Sequence, residues 1–482
     1  MRNQTKPNDQ KSARQSAGIQ KVPTRIEGLD DILRGGLPAG KITLFSGGPG
    51  TGKTVFGLEF LYRGALSGEP GIFLSFEETA DGIRQNMRGF GWDLTSLEAS
   101  GTLFIMEGRI DPEMAVSGDF SIQGLLAIVA GKSQEMGAKR IVIDALDVLI
   151  RVFNDPGREA QQLLLLHRWL TKQGLTVVLT TKNLKTSGYS PAFEHLDFMA
   201  DCVIYLDQRL REQVNTRRIQ VVKYRGSGYG SNEYPFLIAE HGMFVSAISD
   251  MWLNYEAPSQ RLSSGSSALD DILGGGYLKG TCILISGATG TGKTSVASTF
   301  ARSACTKGRK VLYVNFEESV NGMVAGMRSL GLDLGPAMQE DLLWVRSVMP
   351  ESRGIEEHLY DKIAAIRSFQ PEHVVVDAIS ACKRIAGEKA SFDFIMRLVH
   401  LCKQRGLTII LINQTRNAPE TDMLSGIGVS SIIDTIINLY YKDIGNETKR
   451  ELQVIKSRGS KHSNRHHPFL LTGDGIQFGG GA

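Results

Sequence analysis

The eight residues Gly47-Gly48-Pro49-Gly50-Thr51-Gly52-Lys53-Thr54 constrain this chain more than any other stretch. A short apolar run, Lys41 to Ser46, leads into them, and Val55-Phe56-Gly57-Leu58-Glu59-Phe60 leads out with the pattern of a helix. Strand, glycine-rich turn and helix, in that order, make a phosphate-binding loop. Gly48, Gly50 and Gly52 let backbone N–H groups, including that of Thr51, turn inward around an anion, and the helix N-terminus adds favourable partial charge. Lys53 is placed to reach terminal phosphates, and the Thr54 hydroxyl to hold Mg2+.

The pattern occurs twice. Gly287-Ala288-Thr289-Gly290-Thr291-Gly292-Lys293-Thr294 follows Cys282-Ile283-Leu284-Ile285-Ser286 in the same way, so Thr289 to Thr294 carry the same roles. One glycine-rich turn can arise by chance; two in matching surroundings do not. A chain of 482 residues has a crude expectation of about three domains. The repeat revises this to two, over 21–250 and 261–478, with a linker at 251–260 where Pro258 and Ser259 interrupt the pattern. Residues 1–20 are polar and nearly without apolar side chains, and are expected to form a disordered arm.

In each repeat the loop and its helix precede a strand that runs into two acids, Gly71 to Glu77-Glu78 and Val311 to Glu317-Glu318. A nearly continuous apolar strand closed by an aspartate follows, ending at Asp144 and Asp377, and then further apolar strands, Leu175–Thr181 and Leu407–Gln414. Such strands alternating with helices predict an α/β fold: two tandem nucleotide-binding domains, each a mostly parallel sheet flanked by helices.

The aspartates fall where a carboxylate would orient Mg2+, with Thr54 and Thr294 as its partners. Glu77/Glu78 and Glu317/Glu318 are candidates to position and deprotonate an attacking water, a task worth about 10²–10⁴-fold in rate. Near each repeat's end stands Lys-x-Arg-Gly, containing Lys223 and Arg225, then Lys456 and Arg458. These cations belong either on a solvated hairpin or across a subunit interface; their pairing with each loop favours the interface, which requires an oligomer. His462, His466 and His467 have no cysteine or carboxylate cluster near them in sequence and read as a solvated or nucleotide-facing loop rather than a metal site.

A net charge of +3 points to neither nucleic acid nor membrane, and no stretch approaches the ~20 apolar residues of a membrane-spanning helix. Five scattered cysteines without metal-ligand spacing suggest reduced thiols in the cytoplasm.

The tandem arrangement, Phe-Glu-Glu after the first helix and Lys-x-Arg-Gly near the end of each half resembles the KaiC family of the cyanobacterial clock, within the wider RecA/RadA group of ATPases. The resemblance runs from Val22 to Phe469. It implies two RecA-like domains in a two-tiered homohexamer, with ATP and Mg2+ bound between subunits. The first domain would be a slow ATPase and the second an autokinase and autophosphatase. The family's acceptor hydroxyls match Ser430 and Ser431, before Asp434-Thr435-Ile436-Ile437. Glu317 would then activate the acceptor hydroxyl, with Glu318 beside it, while Glu77 and Glu78 activate water. The chain stops soon after its last strand, so the tail that serves KaiA in the family is missing and control by KaiA is not expected. A KaiB-like partner would dock near the insertion Arg109–Phe120. Two other readings compete: a RecA/RadA-type DNA-interacting ATPase, against which stands the lack of a CxxC zinc motif or basic excess, and a nucleotide-dependent scaffold without kinase activity.

Overall fold

The structure is a computed structural model that describes residues 19–108, 122–153, 155–182, 196–211, 214–247, 258–415, 431–473 and 475–479. The chain divides into two compact units, one ending at Asp250 and the other starting at Met251. Most of the arm and of the linker, and all of the insertion Arg109–Phe120, lie outside the described residues.

In the first unit a short antiparallel pair, β1 (Lys21–Val22) and β2 (Leu37–Pro38), precedes β3 (Ile42–Gly47). Every residue of β3 is buried, which is why the run that forms it has no polar alternation. It lies inside a nine-stranded sheet containing β4 (Gly71–Ser75), β5 (Leu103–Glu107), β6 (Arg140–Asp144), β7 (Thr176–Thr181), β8 (Cys202–Arg211), β9 (Val214–Tyr224), β10 (Glu233–Ala239) and β11 (Gly242–Val245), in the order β11-β10-β9-β8-β3-β7-β6-β4-β5. The strands from β5 through β3 to β8 are parallel, and β8 to β11 continue the sheet antiparallel. The helix Lys53–Ala65 packs on the sheet with Phe56 stacked on Phe45, ring centroids 3.7 Å apart. It can approach because residue 57 is glycine: a Cβ there would sit 2.7 Å from Cγ1 of Val142.

The second unit repeats the plan. After β12 (Arg261–Leu262) and β13 (Tyr277–Leu278), its sheet comprises β14 (Cys282–Gly287), β15 (Val311–Asn315), β16 (Leu343–Ser347), β17 (His373–Asp377), β18 (Thr408–Gln414), β19 (Thr435–Ile444), β20 (Glu447–Ser457), β21 (His467–Thr472) and β22 (Gly475–Phe478). The order is β16-β15-β17-β18-β14-β19-β20-β21-β22. The chain is therefore two tandem RecA-like domains, each a mostly parallel sheet flanked by helices. Both loop strands occupy corresponding places, with parallel neighbours on either side. Among the described residues no helix is long and apolar enough to cross a membrane, and all five cysteines are free and buried.

One pair of equivalent core positions differs in chemistry. Arg140 opens β6, fully buried over the Phe60 ring, and is bonded to Glu69 at 2.8 Å and to the Phe60 carbonyl at 2.6 Å. His373 opens β17, packs edge-on to Phe300 at 5.1 Å, and leaves its buried Nδ1 without a hydrogen bond. Burial pushes the His373 imidazole down to about 4, with Glu372 pulling the other way. The folded domain thus holds His373 neutral, whereas an unfolded chain protonates it near pH 6.5. Stability from this group is complete above pH 6.5 and is lost as pH falls towards 4, by about 2–3 kcal/mol. Replacement His373→Leu is expected to flatten that part of the acid denaturation profile, read as hydrogen exchange in β15 and β17 between pH 7 and pH 4.5.

Candidate nucleotide site

Each loop begins where its strand ends. Gly47 and Gly287 are the last residues of β3 and β14, and Lys53 and Lys293 the first of the following helices. Gly52 and Gly292 sit at the helix N-caps in the left-handed region, φ 96° and 101°, and offer no side-chain cap. A Cβ at Gly52 would come within 2.7 Å of Ile238, so both the turn and the space require glycine. The first N–H groups of these helices therefore remain for a ligand. Lys53 Nζ donates to the carbonyls of Gly47 and Gly48 at 2.8 and 2.9 Å, and Lys293 Nζ to that of Ala288 at 2.7 Å. Thr51 and Thr291 donate to the carbonyls of Gly48 and Ala288, both at 2.8 Å, bracing the turn. Two ammonium groups curled over uncapped helix ends fit a polyphosphate.

The Thr54 hydroxyl donates to Asp144 at 2.7 Å, and Thr294 to Asp377 at 2.8 Å. Asp144 is held on its other oxygen by Thr180, and Asp377 accepts a further bond from the Tyr313 hydroxyl at 3.0 Å. Burial raises the pKa of both aspartates, Asp377 to about 6; the hydroxyl bonds work against it. Burial lowers Lys53 and Lys293, opposed first by Asp144 and Asp377 respectively. A buried carboxylate beside a hydroxyl, under a lysine and next to a phosphate cradle, is a hard-oxygen arrangement that fits Mg2+, which takes few protein ligands and completes its shell with phosphate and water. Among the described residues there is no cluster of three or more His, Cys, Asp or Glu able to hold a metal. His467 hydrogen-bonds Ser463 at 2.8 Å and His466 contacts the Tyr440 hydroxyl, so these rings belong to a local polar cluster.

The paired acids part company. Glu77 forms an ion pair with Lys182 at 3.2 Å, whereas Glu78 turns away to accept from Asn86 on the next helix at 3.0 Å. In the second domain the backbone N–H groups of Glu317 and Glu318 both donate to Asn315 Oδ1. Glu317 is the acid whose field reaches Lys293. Residues not singled out in the sequence also reach the loops: Arg217 donates to the Gly50 carbonyl at 3.5 Å, Arg450 to that of Gly290 at 3.2 Å, and Gln414 to Thr289 Oγ1 at 2.6 Å. A signal existed for Gln414, which ends an apolar strand, but the arginines lie in polar strands whose pairing partners sequence does not reveal.

The remaining candidates are not in the same place. Gly287 pairs with Leu439, but Thr435 pairs with Ile283, and β20 then sets Lys456 against Ile436. Ser431, exposed just ahead of β19, and Lys456 and Arg458 therefore lie at the opposite end of the sheet from Lys293, about 13 Å or more along β14. The first domain matches: Gly47 pairs with Leu206, while Lys223 pairs with Val203. Arg225 donates to the Phe198 carbonyl at 2.8 Å, and Lys456 to that of Ile433 at 2.9 Å. Ser430 lies outside the described residues.

The buried aspartates cost folding free energy that a bound cation would offset. In nucleotide-free protein Asp377→Asn is expected to raise the melting temperature, the equivalent of about 1–3 kcal/mol, and to abolish the extra stabilisation given by Mg2+-ATP. Differential scanning calorimetry with and without Mg2+-ATP checks both signs.

Comparison with known proteins agrees along nearly the whole chain. A family profile described as ATPase: KaiC matches residues 22–250 and again 262–481. The circadian clock protein KaiC2 of Synechocystis is 39% identical over 470 residues, 96% of this chain and 82% of that protein. The circadian clock oscillator protein KaiC of Synechococcus elongatus is 35% identical over 459 residues, 95% and 88% of the two chains, and that of Parathermosynechococcus lividus 36% over 464 residues, 95% and 85%.

Proposed function

The chain belongs to the KaiC family of ATPases, and from that premise we propose that it is a ring-forming tandem ATPase whose second domain phosphorylates its own serines across the subunit interface. The observation that carries this reading is the separation within each sheet. Loop, aspartate and acid occupy one end; the Lys-x-Arg pair and, in the second domain, Ser431 occupy the other. A domain so built cannot close its own site, and two copies related head to tail complete one between them. Head-to-tail contacts close into rings when the rotation permits, and the six-membered ring is the family's expected form.

In the first domain Glu77, steadied by Lys182, orients the attacking water. In the second, the acceptor hydroxyl oxygen of Ser430 or Ser431 forms a bond to the γ-phosphorus while the bond to the bridging oxygen breaks. ADP leaves and the hydroxyl proton passes to Glu317. Lys53 and Lys293 hold the terminal phosphates, while Lys223, Arg225, Lys456 and Arg458 of the adjacent subunit meet charge that builds up in transfer. Glu78, drawn to Asn86 on the next helix, leaves the water to Glu77, and Glu318 stands beside Glu317. Thr54 with Asp144 and Thr294 with Asp377 would hold Mg2+, which when bound would supply charge neutralisation at the phosphates.

The test is complementation between size-tagged chains co-assembled with Mg2+ and γ-labelled ATP. One chain carries Lys293→Ala, the other Ser430→Ala with Ser431→Ala. Label is expected on the Lys293→Ala chain, which has acceptors but no working loop. An unlabelled Lys293→Ala chain, under conditions in which wild-type chains take up label, would sink transfer between subunits, and phosphate release without any label on wild-type protein would leave a tandem ATPase. In a second measurement, Glu77→Gln is expected to lower phosphate release by the first domain about 10²-fold or more without changing nucleotide affinity.

A further inference from the structure

We propose that Lys403 is a positioning residue for the phosphoacceptor segment of the second domain; the inference rests on the autokinase reading above and names a part of its machinery that neither loop nor acid supplies. Lys403 lies in the last turn of the helix Cys382–Gln404, 8% exposed. Its ammonium donates to the Ile432 carbonyl at 3.0 Å and forms an ion pair with Asp434 at 2.6 Å. Those partners lie one and three residues beyond Ser431.

The clamp is tied to the strand that carries the loop. The same Asp434 oxygen that meets Lys403 accepts from the N–H of Cys282, first residue of β14, at 2.8 Å. The Asp434 N–H donates to the Cys282 carbonyl at 2.9 Å, and the Asp434 carbonyl accepts from the N–H of Arg458, also at 2.9 Å. Lys456 holds the one carbonyl left between, that of Ile433, at 2.9 Å. Each backbone carbonyl from Ile432 to Asp434 is thus bonded, two of them by lysine side chains. A nucleophile attached directly to a segment held at three successive carbonyls keeps its approach geometry, and small misplacements of a reacting group lower rates steeply.

The first domain supplies the comparison. It keeps the aspartate, as Asp201, whose N–H donates to the Ile42 carbonyl at 2.8 Å and whose carbonyl accepts from Arg225 at 2.8 Å. It lacks the hydroxyl and, among the described residues, a lysine buried as Lys403 is at the end of the matching helix. Counting back from Asp201 and Asp434, Phe198 stands in place of Ser431. Counting back from Gly174-Leu175-Thr176 and Gly406-Leu407-Thr408 sets Thr171 in place of Lys403, and matching Leu170-Thr171-Lys172-Gln173 to Leu401-Cys402-Lys403-Gln404 sets Lys172 there; Lys172 is exposed, whereas Lys403 is buried. Thr171 is exposed and its hydroxyl bonds back into its own helix, to the His167 carbonyl. The fold therefore needs no buried lysine here; the lysine buried against the aspartate is found in the copy whose segment carries the serines.

The experiment uses the full-length chain and Lys403→Met, which keeps the buried stem and removes the charge, with Lys403→Arg as the rescue. For Lys403→Met the rate of protein labelling at saturating ATP is expected to fall about tenfold or more, with the half-saturating ATP concentration unchanged. Amide exchange of Ile432–Thr435 is expected to accelerate by a similar factor, while phosphate release from the first domain is untouched. Lys403→Arg is expected to recover most of both. Labelling and exchange at wild-type levels in Lys403→Met would overturn the proposal, and so would a changed half-saturation with an unchanged maximal rate. An unlabelled wild type would instead overturn the kinase reading and the catalytic half of this inference with it, with exchange still deciding whether Lys403 holds the segment.

Discussion

Everything in this molecule is oriented by the two central strands, β3 and β14, each hydrogen-bonded to parallel neighbours on both sides. A parallel strand in a buried sheet has two chemically unlike ends, and its neighbours in parallel register share that polarity. The C-terminal ends of β3, β4, β6 and β7 therefore bring the loop, Glu77, Asp144 and Thr180 to one edge, with no long-range device beyond the ladder itself. β8 and β19 run the same way, so the turn back into β9 or β20 occurs at the loop end and those strands finish at the other. That is why the Lys-x-Arg pairs, at the ends of β9 and β20, are remote from the loops of their own domains.

At the loop edge, local stability gives way to readiness for a ligand. A threonine hydroxyl caught by a buried carboxylate, and a lysine curled onto backbone carbonyls, satisfy each other in the protein alone. Burial still disfavours the charge on each partner, raising the aspartates and lowering the lysines. Groups arranged in this way need little rearrangement to receive a polyphosphate and a cation. The dipoles point at the anion's place beforehand, which is the main source of electrostatic catalysis in phosphoryl transfer.

The loops, the aspartates and the parallel half of each sheet were legible in the sequence because they depend on local chemistry: glycines where φ is positive, apolar runs where both faces are covered. The antiparallel halves were less so. β8, β9, β19 and β20 mix arginines, asparagines and tyrosines with apolar residues, and what makes them strands is the neighbour they pair with. Arg217 and Arg450 reach the loops from these strands, so their placement was out of reach of spacing arguments. The Phe-Glu-Glu repeat identified the acids but not their division of labour, since Glu78 is drawn off by Asn86, a contact set by where the next helix begins. Lys403 was hidden for the same reason: on a helix of mixed polarity, one lysine near the end reads as a solvated cation.

The two domains agree most closely where phosphate would be gripped and differ where the transferred group would go. In the first, the residue after β7 is Lys182, paired with Glu77; counting from the same Gly-Leu-Thr, its counterpart is Gln414, whose amide turns instead to Thr289. In the second domain Glu317 therefore has glutamine where Glu77 has its lysine partner. At the far end of the sheet, Ser431 and the buried Lys403 stand where the first domain has Phe198 and the exposed Thr171-Lys172. Duplication preserved the binding apparatus, whose geometry tolerates little change, and left the second domain's nucleophile end open to divergence. Changes at both ends of that domain, Gln414 for Lys182 and Ser431 for Phe198, fit the proposed transfer to a protein hydroxyl rather than to water.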